Sequence, residues 1–554
     1  MRIVGLLSGH DGGYCVLEDG KVIEHVEIER YTRIKESGGD SLKYFKEVYL
    51  EKNGLTYSDV DHWVAVYADT SVTKYLNEEY NVYDIIPKEK FSYYSHHLSH
   101  AAHAFYSSRY DDAYIVSIDG SGYENNEGYA ISAGLYFASD TGVEKLGEIP
   151  AEHFSLGKIW TRLTKYVFKL SSGYPRGHQA GSVMAMAALG DYKKYYHQVK
   201  KIFTTDYHMA TMAPAGHRKH VYVPPEEDPV HPYLNQLRLL AESNEKEKFN
   251  IAASLQKLTE EFIFYLIEKV ILASRDKGLQ SKNICLAGGV ILNSAAMGKA
   301  VRKFGDRLEG FFIPPVPYDG GLNIGACQYH WHSALGNKKT HNFVSPYLGE
   351  LYENKDIFDA LAQKEEEIVV QRDVLLEDCV NLLVDNKIIS IFQGRSESGR
   401  RALGNRSILA NPISENMKSM INEKVKHRQW YRPFAPSVLD EEGHKWFEDY
   451  FSSPYMSFVF KFKKEMLGKA PAVEHFDETA RVQSVRREHN EKYYDLIKLF
   501  FIKTGVPMVL NTSFNDREPI CETPVHALNC FLGTEIDYLY FADVDVLVSK
   551  KEVT

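Results

Sequence analysis

Strand-sized apolar runs open the chain in a short rhythm. IVGLLS at 3–8, YCVLED at 14–19 and KVIEHVEI at 21–28 are separated by His10-Asp11-Gly12-Gly13 and by Asp19-Gly20. Those turn residues tolerate positive φ, so tight hairpins are predicted. The plan starts again at 113, where AYIVSID runs into Gly120-Ser121-Gly122 and a polar loop, followed by GYAISAGLYFA and the turn Asp140-Thr141-Gly142. Two strand-led units of one plan point to a duplicated fold. Helical spacing with a strongly apolar face predicts a long helix from 249 to about 275, then the strand NICLAGG at 283–289 and a helix from Asn293. Residues 205–248 are polar and rich in His, Pro and Glu, and read as a surface excursion. The segment 335–346 is polar and aperiodic, and the main boundary is placed there, giving domains of 1–342 and 343–554. Beyond it, a charged helical pattern at 353–366 leads into alternating strands and helices, so the fold class is α/β.

Composition narrows the class. The 554 residues are 44% hydrophobic and 25% charged, which is globular rather than disordered or membranous. A net charge of −10 argues against a basic, whole-surface nucleic-acid or anionic-membrane binder. No apolar run reaches spanning length, and the amino-terminal stretch lacks a signal-peptide pattern, so a cytoplasmic location is expected. The six scattered cysteines contain no CxxC pair and read as reduced thiols.

Candidate chemistry gathers in three places. His96 and His100 lie four apart, so on a helix their imidazoles share a face and can grip one divalent metal ion. Asp119 at the end of a strand and Asp319 in VPYDGG are candidate oxygen donors, and such a donor set leaves iron, manganese and zinc open. There is no P-loop and no GxGxxG after a strand, but the glycine turns at Gly120 and at Gly288-Gly289, the latter running on to Asn293, follow apolar strands where backbone N–H groups can hold phosphate. From 393 to 433 nine cations stand against three glutamates: Arg395, Arg400, Arg401, Arg406, Lys418, Lys424, Lys426, Arg428 and Arg432. Interleaved glycines, a following NTSFN turn and the nearby ARVQSVRRE read this as a concave anion site, walled by Asn511, Ser513 and Asn515.

The motifs HHxxH, DGSG, GGVxLN, DGG, GRxExGxRALGNRSILA, NxxxKxRxxxRPFAPS, ARVQxVRRE and NTSFN occur here in the order seen in O-carbamoyltransferases. The chain resembles that family, whose members decorate nodulation factors, cephamycins, aminoglycosides such as tobramycin, and ansamycins. The resemblance implies a duplicated actin-like N-terminal domain of the sugar kinase and chaperone ATPase type, and a YrdC-like C-terminal α/β domain. It implies that the C-terminal domain makes carbamoyl-adenylate from carbamoyl phosphate and ATP with magnesium, and that the N-terminal domain passes the carbamoyl group to a hydroxyl of a small natural product. Carried onto matching positions, His96, His100, Asp119 and Asp319 are ligands of Fe(II). Arg401, Lys426, Arg432, Arg481, Ser513 and Asn511 hold carbamoyl phosphate and the adenylate, with Lys426 and Arg432 catalytic. Gly120, Gly288, Gly289 and Asn293 hold the nucleotide of the first domain.

His10 and Asp11, on the first hairpin, are the candidates for the base that deprotonates the acceptor. Two departures stand out. His103 replaces a small residue and is a candidate spare ligand or acceptor contact. Ser182 replaces a lysine, leaving a phosphate contact absent or passed to Arg176 or His178. Competing readings are carbamoylation of a protein or tRNA, and a metal- and nucleotide-binding module without turnover. Missing zinc fingers and the acidic charge weigh against the first, and a separate cationic pocket against the second. No membrane partner is expected, nucleic acid is disfavoured, and a homo-oligomer is left open.

Overall fold

A computed structural model describes residues 1–66, 85–125, 127–171, 179–204, 231–341 and 343–551. The chain forms two compact units, one of Met1–Glu29 with Lys35–Val344 and one of Arg30–Ile34 with Ser345–Thr554. A contiguous boundary near 343 does not express the transfer of five early residues to the second unit.

The first unit holds two five-stranded sheets of one topology. In the first sheet, β1 (Arg2–Leu7), β2 (Gly13–Glu18) and β3 (Lys21–Glu27) form an antiparallel meander, and β4 (His62–Val66) and β5 (Phe91–Tyr94) add in parallel beside β1, in the order β3-β2-β1-β4-β5. In the second, β6 (Ala113–Tyr123), β7 (Ala130–Ser139) and β8 (Gly142–Pro150) repeat the meander, and β9 (Asn283–Ala287) and β10 (Gly310–Phe312) repeat the parallel pair. The duplication expected from two hairpin signals is therefore present strand for strand, in mixed α/β form.

Two short helices pack between these sheets. The helix His96–Tyr106 buries Ala101, Ala102, Ala104 and Phe105 against Ile115 and Cys285 of the second sheet. The helix Leu322–Tyr329 buries Leu322, Ile324, Ala326 and Cys327 against Ile3, Cys15 and Val64 of the first. They approach closely because Gly325 has no side chain: a Cβ there would sit 1.9 Å from the Ser99 carbonyl oxygen.

The helix predicted from 249 begins earlier, at Glu245, where Asn244 caps it by accepting the Glu247 N–H at 3.0 Å, and it runs to Asp276. Part of the expected excursion at 205–248 is thus helix. Residues 231–243 form a further helix that buries Leu234, Leu237 and Ala241, whose helical spacing was masked by polar neighbours. Residues 205–230 lie outside the described residues.

The second unit is built on an eight-stranded mixed sheet. Its strands are β11 (Ile368–Gln371), β12 (Ile389–Phe392), β13 (Arg406–Ala410), β14 (Ala435–Leu439), β17 (Gln483–Val485), β18 (Met508–Ser513), β19 (Tyr538–Phe541) and β20 (Val546–Lys550). They run in the order β11-β20-β19-β12-β13-β18-β14-β17, with β15 (Val459–Lys461) and β16 (Thr479–Arg481) as a separate ribbon. The helix Glu491–Thr504 ends on Gly505 at φ 76°, a left-handed stop that only glycine adopts without strain. All six cysteines are buried and unbridged, as reduced thiols require. Among the described residues no helix is long and apolar enough to cross a membrane.

Candidate functional site

The histidine helix and the two glycine-rich segments bring four side chains together. His96, at its first turn, and His100, one turn later, place their rings 4.8 Å apart. His100 Nε2 lies 3.2 Å from Asp119 Oδ2 and 3.5 Å from Asp319 Oδ1, and His96 Nε2 lies 3.8 and 3.6 Å from the same atoms. One ligand atom of each residue falls within 4.8 Å of all the others.

The carboxylates are aimed by backbone. Asp119 does not end its strand in a turn, as expected. β6 continues to Tyr123, and the register shifts between Ile118, opposite Ala133, and Gly122, opposite Ile131. This bulge turns Asp119 out of the ladder toward the histidines. Its Oδ1 accepts the Gly120 N–H at 2.6 Å and its Oδ2 the Gly289 N–H at 2.9 Å. Asp319 begins a single turn after Tyr318, whose hydroxyl donates to Glu27, and His25 Nε2 meets the Gly320 carbonyl at 2.8 Å. Gly288 joins the two carboxylate segments. Its N–H donates to the Pro317 carbonyl at 2.6 Å, its φ is 97°, and a Cβ would lie 2.1 Å from the Ile118 carbonyl oxygen.

The N–H groups of Gly120, Gly288 and Gly289, expected to hold the nucleotide, are engaged by Asp119 and Pro317. Asn293 is engaged too: its Oδ1 caps the helix Ser294–Phe304 through Ala296 N–H at 3.1 Å, and its amide donates to Gln256 at 2.8 Å. What the turn offers a ligand is close approach, since a Cβ at Gly120 would meet nothing within 4 Å.

The donor set fits a first-row metal ion. His96 Nε2 and Asp319 Oδ1 are buried without a hydrogen-bond partner, although both face the cluster. Metal–ligand bonds of about 2.0–2.2 Å in a tetrahedral site separate neighbouring ligand atoms by roughly 3.3–3.6 Å, close to the spacings found here. Burial opposes a charged His100, but hydrogen bonds and attraction from Asp119 and Asp319 outweigh it and raise its pKa to about 9. Burial would also raise Asp119, yet His100 and His96 hold it well below the usual carboxylate range. Each partner thus stabilises the charge that the other needs.

Neighbouring histidines separate cleanly. His10, half exposed, reaches Asp319 Oδ2 with Nε2 at 3.3 Å and Asp11 Oδ2 with Nδ1 at 3.2 Å. The first-hairpin candidates therefore stand at the rim of the cluster. His97 faces away, bonded to Ser117 at 2.7 Å and to the Ile131 carbonyl at 3.0 Å. His103 is fully buried, its Nδ1 lies 3.3 Å from Gln328 and 3.1 Å from Ser107, its Nε2 has no hydrogen-bond partner, and burial drives its pKa to about 3. Ser182 is also buried, 3.3 Å from Gln179, and Arg176 and His178 lie outside the described residues.

In the second unit the cation-rich sequence sorts into cations bonded to the frame and cations that crowd one another. Arg406 is entombed, donating to the carbonyls of Gln393 at 2.7 Å, Asn405 at 3.1 Å and Gly394 at 3.0 Å. Lys426, 4% exposed, spends its ammonium on Ser513 and on Asn515, at 2.7 and 2.8 Å for the latter. It pins the NTSFN turn. Asn511 is likewise a brace, its amide donating to Ala402, Ser437 and Gln483. Ser513 donates to Asn515 at 2.7 Å.

The crowded cations are Arg401, Arg432, Arg481 and Arg428, the last counted in the cluster but not singled out from sequence. Burial depresses Arg481 well below its usual range, and repulsion from Arg401 and Arg432 adds to it. Burial, then Arg432 and Arg481, does the same to Arg428. Arg481 Nε is buried without a hydrogen-bond partner, and among the described residues Arg428, Arg432 and Arg481 form no ion pair. The crowding of Arg428, Arg432 and Arg481 without an ion pair among the described residues marks a site for an anion. Glu397 is one of the three glutamates that stand against the nine cations. It is 2% exposed, and its Oε1 accepts the N–H groups of Leu403, Asn405 and Arg406 at 2.7, 2.9 and 3.2 Å, shaping the loop that presents Arg401.

Residues 81–328 match the family model Carbamoyltransferase N-terminus, and residues 380–550 match Carbamoyltransferase C-terminus. Nodulation protein NolNO of Sinorhizobium fredii is 32% identical over 96% of this chain and 78% of its own length. Nodulation protein NolO of Bradyrhizobium diazoefficiens is 31% identical over 80% of this chain and 77% of its own. Among solved structures, HypF of T. kodakarensis aligns with 60% of this chain and 48% of its own at 17% identity and a TM-score of 0.36.

Proposed function

Because the chain belongs to the carbamoyltransferase family and is a transferase of that class, we propose that it carries out ATP-dependent O-carbamoyl transfer to a small hydroxylated acceptor. The observation that carries the reading is the group of mutually repelling guanidiniums in the second unit, with Arg481 Nε unsatisfied. Carbamoyl phosphate is a dianion, and bringing it to the triphosphate of ATP concentrates charge that only fixed cations offset.

The first stage converts carbamoyl phosphate, ATP and water into carbamoyl-adenylate, phosphate and pyrophosphate. Loss of phosphate leaves carbamate, whose oxygen attacks the α-phosphorus and expels pyrophosphate, while Arg401, Arg432, Arg481 and Arg428 screen the charge. Lys426 and Asn511 act on this stage through the loops they brace. In the second stage the acceptor oxygen attacks the carbamoyl carbon, AMP departs, and the hydroxyl proton passes to a base at the rim, His10 with Asp11 behind it. Magnesium accompanies ATP.

His96, His100, Asp119 and Asp319 would hold a divalent metal ion, Fe(II) by resemblance, which supplies a Lewis acid for phosphoryl or carbamoyl oxygen when bound. The protein orients that site through the Gly120 and Gly289 N–H groups on Asp119 and through His25 behind Gly320. We place the protein in the cytoplasm, in the biosynthesis of a carbamoylated secondary metabolite of antibiotic type.

The test is incubation of the purified protein with carbamoyl phosphate and ATP. Pyrophosphate and phosphate are expected in equal amounts, with AMP following when a polyol acceptor is added. A reaction that yields no pyrophosphate, with or without acceptors, defeats the adenylate reading. Metal analysis of wild type and of His100→Ala tests the His/Asp cluster separately: loss of metal is expected only in the variant.

A further inference from the structure

The segment Arg30–Ile34 is built into the second unit although its sequence neighbours belong to the first. It is fastened at three points. Arg33, at φ 60°, donates to the carbonyls of Ile520 at 2.9 Å and Pro519 at 2.6 Å, and pairs with Glu518 at 3.1 Å. The Tyr31 hydroxyl donates to Glu350 at 2.9 Å. Arg30 goes deepest: it is 2% exposed, and one guanidinium nitrogen donates to the Glu397 carbonyl at 3.2 Å and to the Gly399 carbonyl at 2.5 Å.

Those carbonyls open the loop that carries Arg401. Gly399 has φ 91°, and two residues after it comes Arg401. Two residues further, the Leu403 N–H is taken by the Glu397 carboxylate at 2.7 Å. Arg401 therefore stands midway between a carbonyl clamped by Arg30 and an N–H clamped by Glu397. Its own side chain comes close enough to Arg481 to repel it.

Burying a guanidinium costs several kcal/mol unless it is well bonded. An anchor alone needs no such burial, because Arg33 and Tyr31 already hold the segment from partly exposed positions. The buried Glu522, whose carboxylate accepts the Ser396 hydroxyl at 2.9 and 2.8 Å, lies near enough to offset part of the Arg30 charge. Both carbonyls that Arg30 meets through this one nitrogen belong to the loop that carries Arg401.

We propose that Arg30 is a positioning residue that sets Arg401 for the carbamoyl phosphate anion. This rests on the reading that Arg401 meets that anion. The test is a double-mutant cycle in the full-length protein, with carbamoyl phosphate binding measured by calorimetry in wild type, Arg30→Ala, Arg401→Ala and the double variant. If Arg30 acts through Arg401, Arg30→Ala weakens binding about tenfold while the double variant binds no worse than Arg401→Ala. Melting temperature checks folding, and Arg30→Lys, which keeps the charge but not the fork, replaces Arg30→Ala in the cycle should that variant not fold. Losses that multiply across the cycle overturn the inference. Wild-type affinity in Arg30→Ala beside a weakened Arg401→Ala overturns it alone, whereas wild-type affinity in Arg401→Ala overturns the functional reading with it.

Discussion

Arg481→Met removes a guanidinium whose Nε is buried without a hydrogen-bond partner and which Arg401 and Arg432 repel. Methionine follows much the same path through the protein with no donor to satisfy. An unsatisfied buried polar group costs about 1–3 kcal/mol, so the variant regains roughly that amount before any relief of repulsion is counted. For a unit of about 200 residues each kcal/mol moves the melting temperature by roughly 2–4 °C, so a rise of about 2–12 °C is expected. On the proposed function the same change takes away a cation that carbamoyl phosphate needs, so wild type is expected to gain about 2.7 kcal/mol at a hundredfold excess over Kd and Arg481→Met little. Thermal denaturation with and without carbamoyl phosphate reads both effects. A variant that melts below wild type in the absence of ligand refutes the reasoning, because it places Arg481 among the stabilising residues and not among those strained for function.

Gly288→Ala is expected to destabilise the first unit by about 2–4 kcal/mol in urea unfolding, since its φ is 97° and the new Cβ meets the Ile118 carbonyl oxygen at 2.1 Å. His97→Phe breaks the bonds to Ser117 and the Ile131 carbonyl, lowering stability by about 1–3 kcal/mol, while the metal content of the purified protein stays at the wild-type level. Burial, with repulsion from the stacked His62, pushes His330 down to about 4. Below pH ~6.5 the unfolded chain therefore binds a proton that the folded one refuses, and stability falls as pH drops from ~6.5 toward 4. His330→Phe should lose less melting temperature than wild type between pH 7 and pH 5.

Local patterns made much of the protein legible. Alternating strands broken by Asp-Gly turns announced the duplicated meander, because turn residues and period-two alternation are properties of a few consecutive side chains. The spacing of His96 and His100 carried their shared face for the same reason, and the segment after NICLAGG announced a helix from Asn293. Residue type was a poorer guide to what each side chain does. Lys426, Asn511 and Arg406 have the same identity whether they meet a ligand or a backbone carbonyl, and only packing turned them inward. The glycine turns suggested free N–H groups, but the partner of an N–H is another segment, here Asp119 or Pro317.

What the sequence by itself determined is the set of elements, the duplicated first unit and the types of chemistry available in each part. What only the tertiary structure decided is which of those groups meet. Asp119 and Asp319 are 200 positions apart and converge through a bulge and one glycine turn. Arg30 leaves its neighbours to serve a loop at Glu397–Gly399. Periodicity is encoded within a turn or two of chain, whereas convergence depends on strand pairing and close backbone approach between distant segments, which no local pattern records.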